Sequence, residues 1–496
     1  MTVSDTSENS DLSHSDLDFL RQLENYTFDS KMLICQRYSS RIMSISEVNM
    51  DYALKQNIMP WELEAFAAFS VIYNSDNAEQ CIDAVAFSEI VTKIRNYWHP
   101  ELRIAEAAGT YPEVYMMVTL LQQAPIQGVF LQKLFRYNYF FTFVNNKIDM
   151  KKEFCDRFQV PYLEYMIFAF IAFVYCSHES NVLGAPDDCQ KLLQKAFNKK
   201  EVFKELSIEM SEYKNQLSAL YKNNILDYYF GLKIQYVYPL IIGSEYTYLP
   251  SPYLVINAIT ESMLNRLTYN NPGLRNAFGK EVIEQYLYDI YKGISEVTWI
   301  SKEMPYKIGK QEYKTPDVLV SENMYCSFYD TKALSPSLKV RQFNQKEIND
   351  EIQIYSDCVL QIYERVMDYI KGYFDLDKRY DRDHIFGVVV VLEDAVLPRG
   401  KVYSRVYDTY RKKSGALSQE DMDYIHSHIK VVSLRQIESM LLQNSSFLQC
   451  LIDQSERQEH WDDLNFSKPT KDRGLLPLYD DFVVNIKKAV ASYLAS

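Results

Sequence analysis

Two aspartates and a lysine lie in a short stretch whose other residues are typical of β-strands. In YKTPDVLVSENMYCSFYDTKA (313–333), Asp317 belongs to the first of two predicted strands, and Asp330 and Lys332 belong to the second. A tight turn at 321–323 would set Asp317 opposite the region of Asp330, although a slip of one residue would reverse its face. Side chains alternate along a strand, so Asp330 and Lys332 are expected to share one face.

This combination of groups is suited to phosphodiester hydrolysis. Two carboxylates a few ångströms apart repel, and one stays protonated unless a cation lies between them. Oxygen ligands in small number suit Mg²⁺, which lowers the pKa of a bound water. Lys332 would then reach the attacking water or a phosphate oxygen. The alternative is a surface ion pair between Asp330 and Lys332, which would contribute only about 0 to 1 kcal/mol.

Composition bounds the class of protein. The chain has 496 residues, of which 47% are hydrophobic and 24% charged, so two or three globular domains are expected. Its eight cysteines have no CxxC spacing, which favours reduced thiols in a cytoplasm and predicts no structural zinc. The longest apolar run, 165–176, is shorter than the roughly 20 residues that cross a bilayer, so a buried helix and no membrane contact are expected.

The charge argues against a protein that coats nucleic acid without specificity. The net charge is −13, whereas phosphate binding depends on cations. Two stretches are nevertheless locally basic, 302–346 and 398–414, and the second also contains Tyr403, Tyr407 and Tyr410. A solvated loop and part of a nucleic acid groove both remain open for the second stretch.

Common nucleotide and hydrolase motifs are absent. The chain has only 14 glycines and contains no GxGxxG and no GxSxG. GLRNAFGKE (273–281) resembles a phosphate-binding loop, but it has five residues between its glycines and Glu281 where a Ser or Thr is needed. An NTPase is therefore not expected.

The pattern of apolar residues changes along the chain. Residues 20–265 are predicted to be mainly helical, including one continuous helix over 201–221, with a boundary in TYNNPGLRN (268–276). The order that follows is a helix, three strands, a long helix over 348–369, the strand HIFGVVVVLED and the strand IKVVSL, which predicts an α/β sheet covered by helices. We expect a disordered tail (1–20), a helical domain (21–268), an α/β domain (269–443) and a C-terminal helical extension (444–496).

The α/β stretch resembles the PD-(D/E)XK nuclease superfamily. PD at 316–317 and DTK at 330–332 are similar to its motif, and FGKEVIEQY is similar to the helix that supplies a glutamate. The resemblance implies a restriction-endonuclease-like core, a mixed sheet flanked by helices, after a large mainly helical domain. It implies metal binding by Asp317, Asp330, the Thr331 carbonyl and Glu284, with Glu281 as the alternative to Glu284, catalysis by Lys332 together with the acids, and Gln353 as an accessory residue.

The expected function is that of a metal-dependent nuclease, an endonuclease acting on DNA with Mg²⁺, or with Mn²⁺ in its place. The resemblance implies roles in restriction, phage defence or repair in a bacterial cytoplasm. The helical domain would recognise substrate, a protein partner or a second copy of the chain. Two alternatives stay open at this point: a nuclease-like fold used as a binding or scaffold module, and cleavage of RNA by the same site.

Overall fold

The computed structural model describes residues 14–43, 49–107, 130–177, 200–220, 234–244, 246–337, 340, 345–393, 397, 399–442, 451 and 477–495. Most of the predicted N-terminal tail, residues 1–13, lies outside these ranges. A 3₁₀ helix, His14–Asn25, covers the remainder of the predicted tail, and its Leu20 is buried. Much of the predicted C-terminal extension, including 452–476, and Lys339 and Arg341 of the first basic stretch also lie outside the described residues.

The N-terminal region is mainly helical. Its α-helices are α1 Phe28–Ile42, α2 Met50–Gln56, α3 Pro60–Ile72, α4 Ala84–Ala107, α5 Phe130–Thr142, α6 Met150–Phe158, α7 Tyr162–Cys176, α8 Lys200–Leu206 and α9 Met210–Leu220. A small sheet consists of β1 Ser207–Glu209, β2 Leu240–Ile242 and β3 Thr247–Tyr248 in that order, and a 3₁₀ turn, Ile234–Tyr236, precedes β2. The prediction of one continuous helix over 201–221 is wrong, because Ser207–Glu209 leaves the helix to pair in parallel with β2.

Two helices near the predicted boundary contain π-helical turns. Helix α10 consists of Leu254–Asn257, the π segment Ala258–Ser262 and Met263–Thr268. Helix α11 consists of Pro272–Ala277, the π segment Phe278–Ile283 and Glu284–Lys292. The rings of Phe140 and Phe278 lie edge to face with centroids 5.1 Å apart, so one apolar core takes side chains from both sides of residue 268.

A five-stranded mixed sheet follows. The strands after α11, which include two outside this sheet, are β4 Val297–Lys302, β5 Pro305–Ile308, β6 Gln311–Lys314, β7 Val318–Glu322, β8 Tyr325–Lys332, β9 Ile385–Val391 and β10 Ile429–Ser433. The sheet order is β10-β9-β8-β7-β4, with β8, β9 and β10 parallel and β7 antiparallel to both β8 and β4. Strands β5 and β6 form a separate hairpin. The expected three strands before the long helix are therefore five, and Tyr313 belongs to the hairpin.

Helices cover both faces of this sheet. They are α12 Gln345–Ile370, α13 Arg399–Ser414, α14 Gln419–His428, α15 Leu434–Leu442 and α16 Pro477–Ala495, with a 3₁₀ turn at Arg382–His384. Helix α12 packs on the face that carries Phe328 and Val389, and α11 packs on the face that carries Tyr329. A Cβ added to Gly387 would lie 2.7 Å from Ile362 Cγ2, so glycine permits the close approach of α12 to β9. The chain thus has a helical N-terminal region and a mixed α/β region, as expected.

The apolar helices differ in length and in hydropathy. Among the described residues, no single helix is both long and apolar enough to cross a bilayer. The pair Met150–Phe158 and Tyr162–Cys176 meets both criteria only when taken together, and it is bent by 65°.

Candidate active site

Asp317 and the end of β8 meet at one edge of the sheet. Asp317 directly precedes β7 rather than lying within it, and β7 pairs with β8 through Val318 and Tyr329. The turn comprises Asn323 and Met324, slightly later than expected. Because β7 runs against β8, the beginning of one strand and the end of the other share an edge. It is also the edge where the parallel strands β8, β9 and β10 end, which is a common location of ligand sites in α/β sheets.

Thr331 holds the Asp317 carboxylate. Its backbone N–H donates to Asp317 Oδ2 at 2.7 Å and its hydroxyl donates to the same oxygen at 3.0 Å. Backbone N–H and C=O of one strand residue point to the same side, so the Thr331 carbonyl is also directed toward the β7 side. Both bonds go to Oδ2 of Asp317, so neither of them occupies Oδ1.

Asp330 and Lys332 are paired on one face of β8. Lys332 Nζ lies 2.6 Å from Asp330 Oδ2, and their side chains are 28% and 7% exposed respectively. That oxygen is buried and no hydrogen bond of good geometry reaches it from the described residues. Burial raises the pKa of Asp330, while the Lys332 ammonium opposes the rise. Burial would lower the pKa of Lys332, but the Asp330 carboxylate outweighs it and the net shift is upward.

The two aspartates influence each other. Burial, together with the charge of Asp330, raises the pKa of Asp317 to about 7, against the stabilising hydrogen bonds from Thr331. Two carboxylates that share a partly dehydrated site cannot both ionise without cost. With a pKa of about 7, Asp317 would be partly protonated at neutral pH even with the Lys332 ammonium beside Asp330.

Helix α11 directs its two glutamates to different partners. Burial, followed by the charges of Asp317 and Glu303, raises the pKa of Glu284 to about 8. Burial alone would favour protonation of Glu281 too, but hydrogen bonds from Lys147 Nζ (2.9 Å) and Asn145 Nδ2 (3.2 Å) outweigh it and lower its pKa. A π turn with i→i+5 bonding rotates residues three apart further from one another than an α-helix does. The π segment that ends at Ile283 thus separates these two side chains.

Close packing fixes α11 against the chain that follows Lys332. A Cβ on Gly279 would lie 3.1 Å from Ala333 Cβ, tighter than ordinary packing, so the glycine allows the helix to approach the strand end. Arg275 donates to the Ala333 carbonyl at 2.8 Å and to Ser335 Oγ at 3.1 Å. The stretch that resembles a phosphate-binding loop is therefore part of a packed helix.

Gln353 lies away from the carboxylates. Its amide nitrogen donates to Asp357 Oδ1 at 2.8 Å and to Thr409 Oγ1 at 3.3 Å, and its oxygen accepts from Arg405 at 3.4 Å. It thus joins α12 to α13, the helix formed by the second basic stretch. The interpretation of that stretch as a solvated loop is wrong, because it forms a helix. The side chain of Tyr403 on this helix is buried.

A cleft of about 560 Å³ leads to the aspartates, and it includes residues that sequence reasoning missed. Its lining includes Asp317 and Asp330, Gln361 and Arg365 of α12, Glu303, and Lys314 of the hairpin strand β6. Lys314 Nζ lies 2.7 Å from Glu303 Oε2. Gln361 and Arg365 are one helical turn apart on α12, but nothing in their local sequence distinguishes them from the other polar residues of that helix.

No protein-family model, curated protein or solved structure matches this chain.

The site contains carboxylates and a lysine that could bind a cation or exchange protons, but not all of the predicted metal ligands lie together. Across the described ranges, no group of three or more His, Cys, Asp or Glu side chains is arranged to hold a metal ion. Asp317, Asp330 and the Thr331 carbonyl are the oxygen donors that lie together, and Glu284 is coupled to them electrostatically. Lys332 is the cation at the same edge.

Proposed function

We propose that the protein is a metal-dependent nuclease with a PD-(D/E)XK-like site, acting on DNA. The observation that carries the proposal is the partly buried Asp317 beside the buried Asp330, whose carboxylate lies 2.6 Å from Lys332, at the edge of a mixed sheet. Carboxyl groups with raised pKa values that line a cleft are typical of functional sites. The order of helix, antiparallel strands, long helix and parallel strand also supports a restriction-endonuclease-like core.

The donor set suits Mg²⁺, with Mn²⁺ as a substitute. Mg²⁺ keeps several waters and is commonly bound by one or two carboxylates and by substrate phosphate, so a third protein carboxylate in contact is not required. Asp317, Asp330 and the Thr331 carbonyl would hold it, and Glu284 would act through one of its waters. When bound, the metal would supply a water of lowered pKa and neutralise charge on the phosphate.

The protein groups have separable roles in the proposed step. The oxygen of the attacking water would bond to phosphorus and lose a proton to solvent or to Glu284. The bond from phosphorus to the departing sugar oxygen would break, and the sugar oxygen would take up a proton from solvent. Lys332, held by Asp330, would orient the water and donate hydrogen bonds to the developing negative charge. Glu284, whose pKa is raised to about 8, would accept or pass a proton near neutral pH.

A substrate panel tests the proposal. The purified full-length chain is incubated with supercoiled DNA, linear duplex, single-stranded DNA and RNA, each with Mg²⁺, Mn²⁺ or a chelator. We expect metal-dependent cleavage of DNA. Cleavage confined to RNA would change the substrate while keeping the chemistry, and no cleavage of any substrate with either metal would contradict the proposal.

The second candidate is a nuclease-like fold used as a binding or scaffold module. The Asp330 and Lys332 ion pair favours it, because a lysine that already neutralises one carboxylate weakens the need for a metal. Thermal unfolding with and without Mg²⁺ discriminates the two. A scaffold should show no stabilisation that depends on Asp317 and Asp330, whereas a metal site is stabilised by its bound ion. The cellular role we propose for the nuclease is restriction or phage defence in a bacterial cytoplasm, with the helical region recognising the trigger or a partner.

A further inference from the structure

The β5 and β6 hairpin forms one wall of the cleft that leads to the aspartates. Its strands join through Gly309 and Lys310, and Gly309 has φ +62°, a conformation that glycine adopts without strain. Gln311 to Lys314 line the cleft from this side, and Gln361 and Arg365 of α12 line it from the other. Asp317 and Asp330 therefore lie at the floor of a walled cleft and not on an open surface.

The hairpin carries cations that can reach a phosphate backbone. Lys307 and Lys310 are exposed, and Glu312 lies opposite Lys307 in the hairpin register. Lys314 is exposed too, but its ammonium is paired with Glu303. Arg365 lies on the opposite wall, where it is paired with Asp368 at 3.2 Å and donates to the Tyr306 hydroxyl at 2.9 Å. Lys314 and Arg365 are thus the cations of the cleft lining, and Lys307 and Lys310 extend from the hairpin beside it. Glu303 and Glu312 also line the cleft.

An aromatic pair lies between these cations. The rings of Tyr306 and Tyr313 are stacked, with centroids 5.7 Å apart and planes inclined by 23°. The Arg365 guanidinium lies 5.4 Å from the centre of the Tyr313 ring. The Tyr306 hydroxyl also donates to Asp368, so the pair is fixed before any ligand arrives. Tyr313 is partly exposed and lines the cleft.

We infer that this cleft takes a single unpaired nucleic acid strand, so that the substrate is single-stranded or carries an unpaired tail. The inference rests on the proposed nuclease function for the reaction, but its binding part stands on the cleft itself. Cationic grooves with aromatic side chains for base stacking are the usual means of binding single strands. A cleft of about 560 Å³ has room for a nucleotide or two of one strand, but not for both strands of a duplex.

The test separates binding from cleavage. Fluorescence anisotropy is measured in chelator with one oligonucleotide as a single strand, as a blunt duplex and as a duplex with an unpaired tail. The variants are Lys307→Ala/Lys310→Ala, Tyr313→Ala and Tyr313→Phe. The charge-matched control is Lys151→Ala/Lys204→Ala, which removes two exposed lysines of the helical region. The same substrates are then incubated with Mg²⁺ for cleavage.

We expect the single strand and the tailed duplex to bind more tightly than the blunt duplex. Affinity for the single strand should fall as the salt concentration rises. In the double lysine variant, the slope of log affinity against log salt concentration should be shallower by about 0.7 for each phosphate that is no longer neutralised. Tyr313→Ala should weaken binding about tenfold, and Tyr313→Phe should retain it because the ring still stacks. The control should bind as the wild-type chain does.

The outcomes distinguish the two claims. Cleavage that prefers blunt duplex, or single-strand binding that is unchanged in all hairpin variants, overturns the inference and leaves the nuclease proposal standing. Hairpin-dependent binding of single strands without cleavage supports the inference and contradicts the nuclease proposal. Binding of no nucleic acid overturns the inference directly.

Discussion

Asp317 receives two hydrogen bonds from Thr331, one from the backbone amide at 2.7 Å and one from the hydroxyl at 3.0 Å. Both go to the same carboxylate oxygen, and they connect the residue before β7 to the end of β8. Asp330 and Lys332 flank Thr331 in sequence, so this contact brings the three charged side chains to one edge of the sheet. The consequences for metal binding, proton exchange and stability can each be measured.

Metal affinity should rise with pH. The pKa of Asp317 is raised to about 7 and that of Glu284 to about 8, so both groups are largely protonated at pH 6 and largely ionised above pH 8.5. Mg²⁺ competes with those protons and releases them on binding. Calorimetry in buffers of different ionisation enthalpy should show tighter binding and fewer released protons as pH increases. Affinity that does not change between pH 6 and 8.5 would argue against binding at these carboxylates.

The two glutamates of α11 should differ in function. Glu284→Gln removes the carboxylate that is coupled to Asp317 and should lower cleavage strongly with little change in folding. Glu281→Gln is the matched variant one turn away, where the carboxylate instead bonds Lys147, whose side chain is 62% exposed. It should retain activity and cost no more than about 1 kcal/mol of stability. Equal loss of activity in both variants would refute this assignment of roles.

Neutralising Asp317 should stabilise the metal-free protein at high pH. A carboxyl whose pKa is raised on folding contributes stability that is fully present below its unfolded pKa and is lost as pH rises through the folded value, here about 7. The amide of Asp317→Asn cannot ionise, and its oxygen can still accept from Thr331. The substitution should therefore increase Tm more at pH 8 than at pH 5. Asp76→Asn, at an exposed site, serves as the control and should show no such pH dependence.

A buried ion pair connects α5 with α15. Arg136 lies 2.9 Å from Glu438, both side chains are no more than 5% exposed, and Tyr286 also donates to Glu438 at 2.6 Å. Arg136→Met leaves a buried carboxylate without its cation and should lower the free energy of unfolding by about 3 to 5 kcal/mol. Urea denaturation measures the loss. Arg136→Met/Glu438→Met should recover much of it, and a double variant as unstable as the single one would show that the charge is not the cause.

Long periodic elements could be predicted from the sequence. The apolar residues from Ile348 to Tyr369 predict α12, and the β-branched run before Leu392 predicts β9, because burial on one face or on both imposes those patterns. Alternation along β8 likewise places Asp330 and Lys332 on one face, and their ion pair confirms that they share it.

The remaining details depend on packing that is distant in sequence. Helix α11 contains a π turn that separates Glu281 from Glu284, and Gly279 in this turn packs against Ala333. Nothing in the local sequence indicates this contact. The interruption of the predicted helix at Ser207–Glu209 follows from pairing with β2, more than 30 residues away in sequence. Gln353 and Gln361 both lie on α12, and only the path of that helix across the sheet brings Gln361 to the cleft.

Cleavage by the wild-type chain and by Lys332→Ala, compared in Mg²⁺ with DNA that offers an unpaired strand, tests the central claim most directly. The account predicts metal-dependent cleavage by the wild type and loss of at least about two orders of magnitude in Lys332→Ala. Asp317→Ala should be equally inactive, and circular dichroism should show both variants folded. Cleavage by folded Lys332→Ala or Asp317→Ala at the wild-type rate would contradict it.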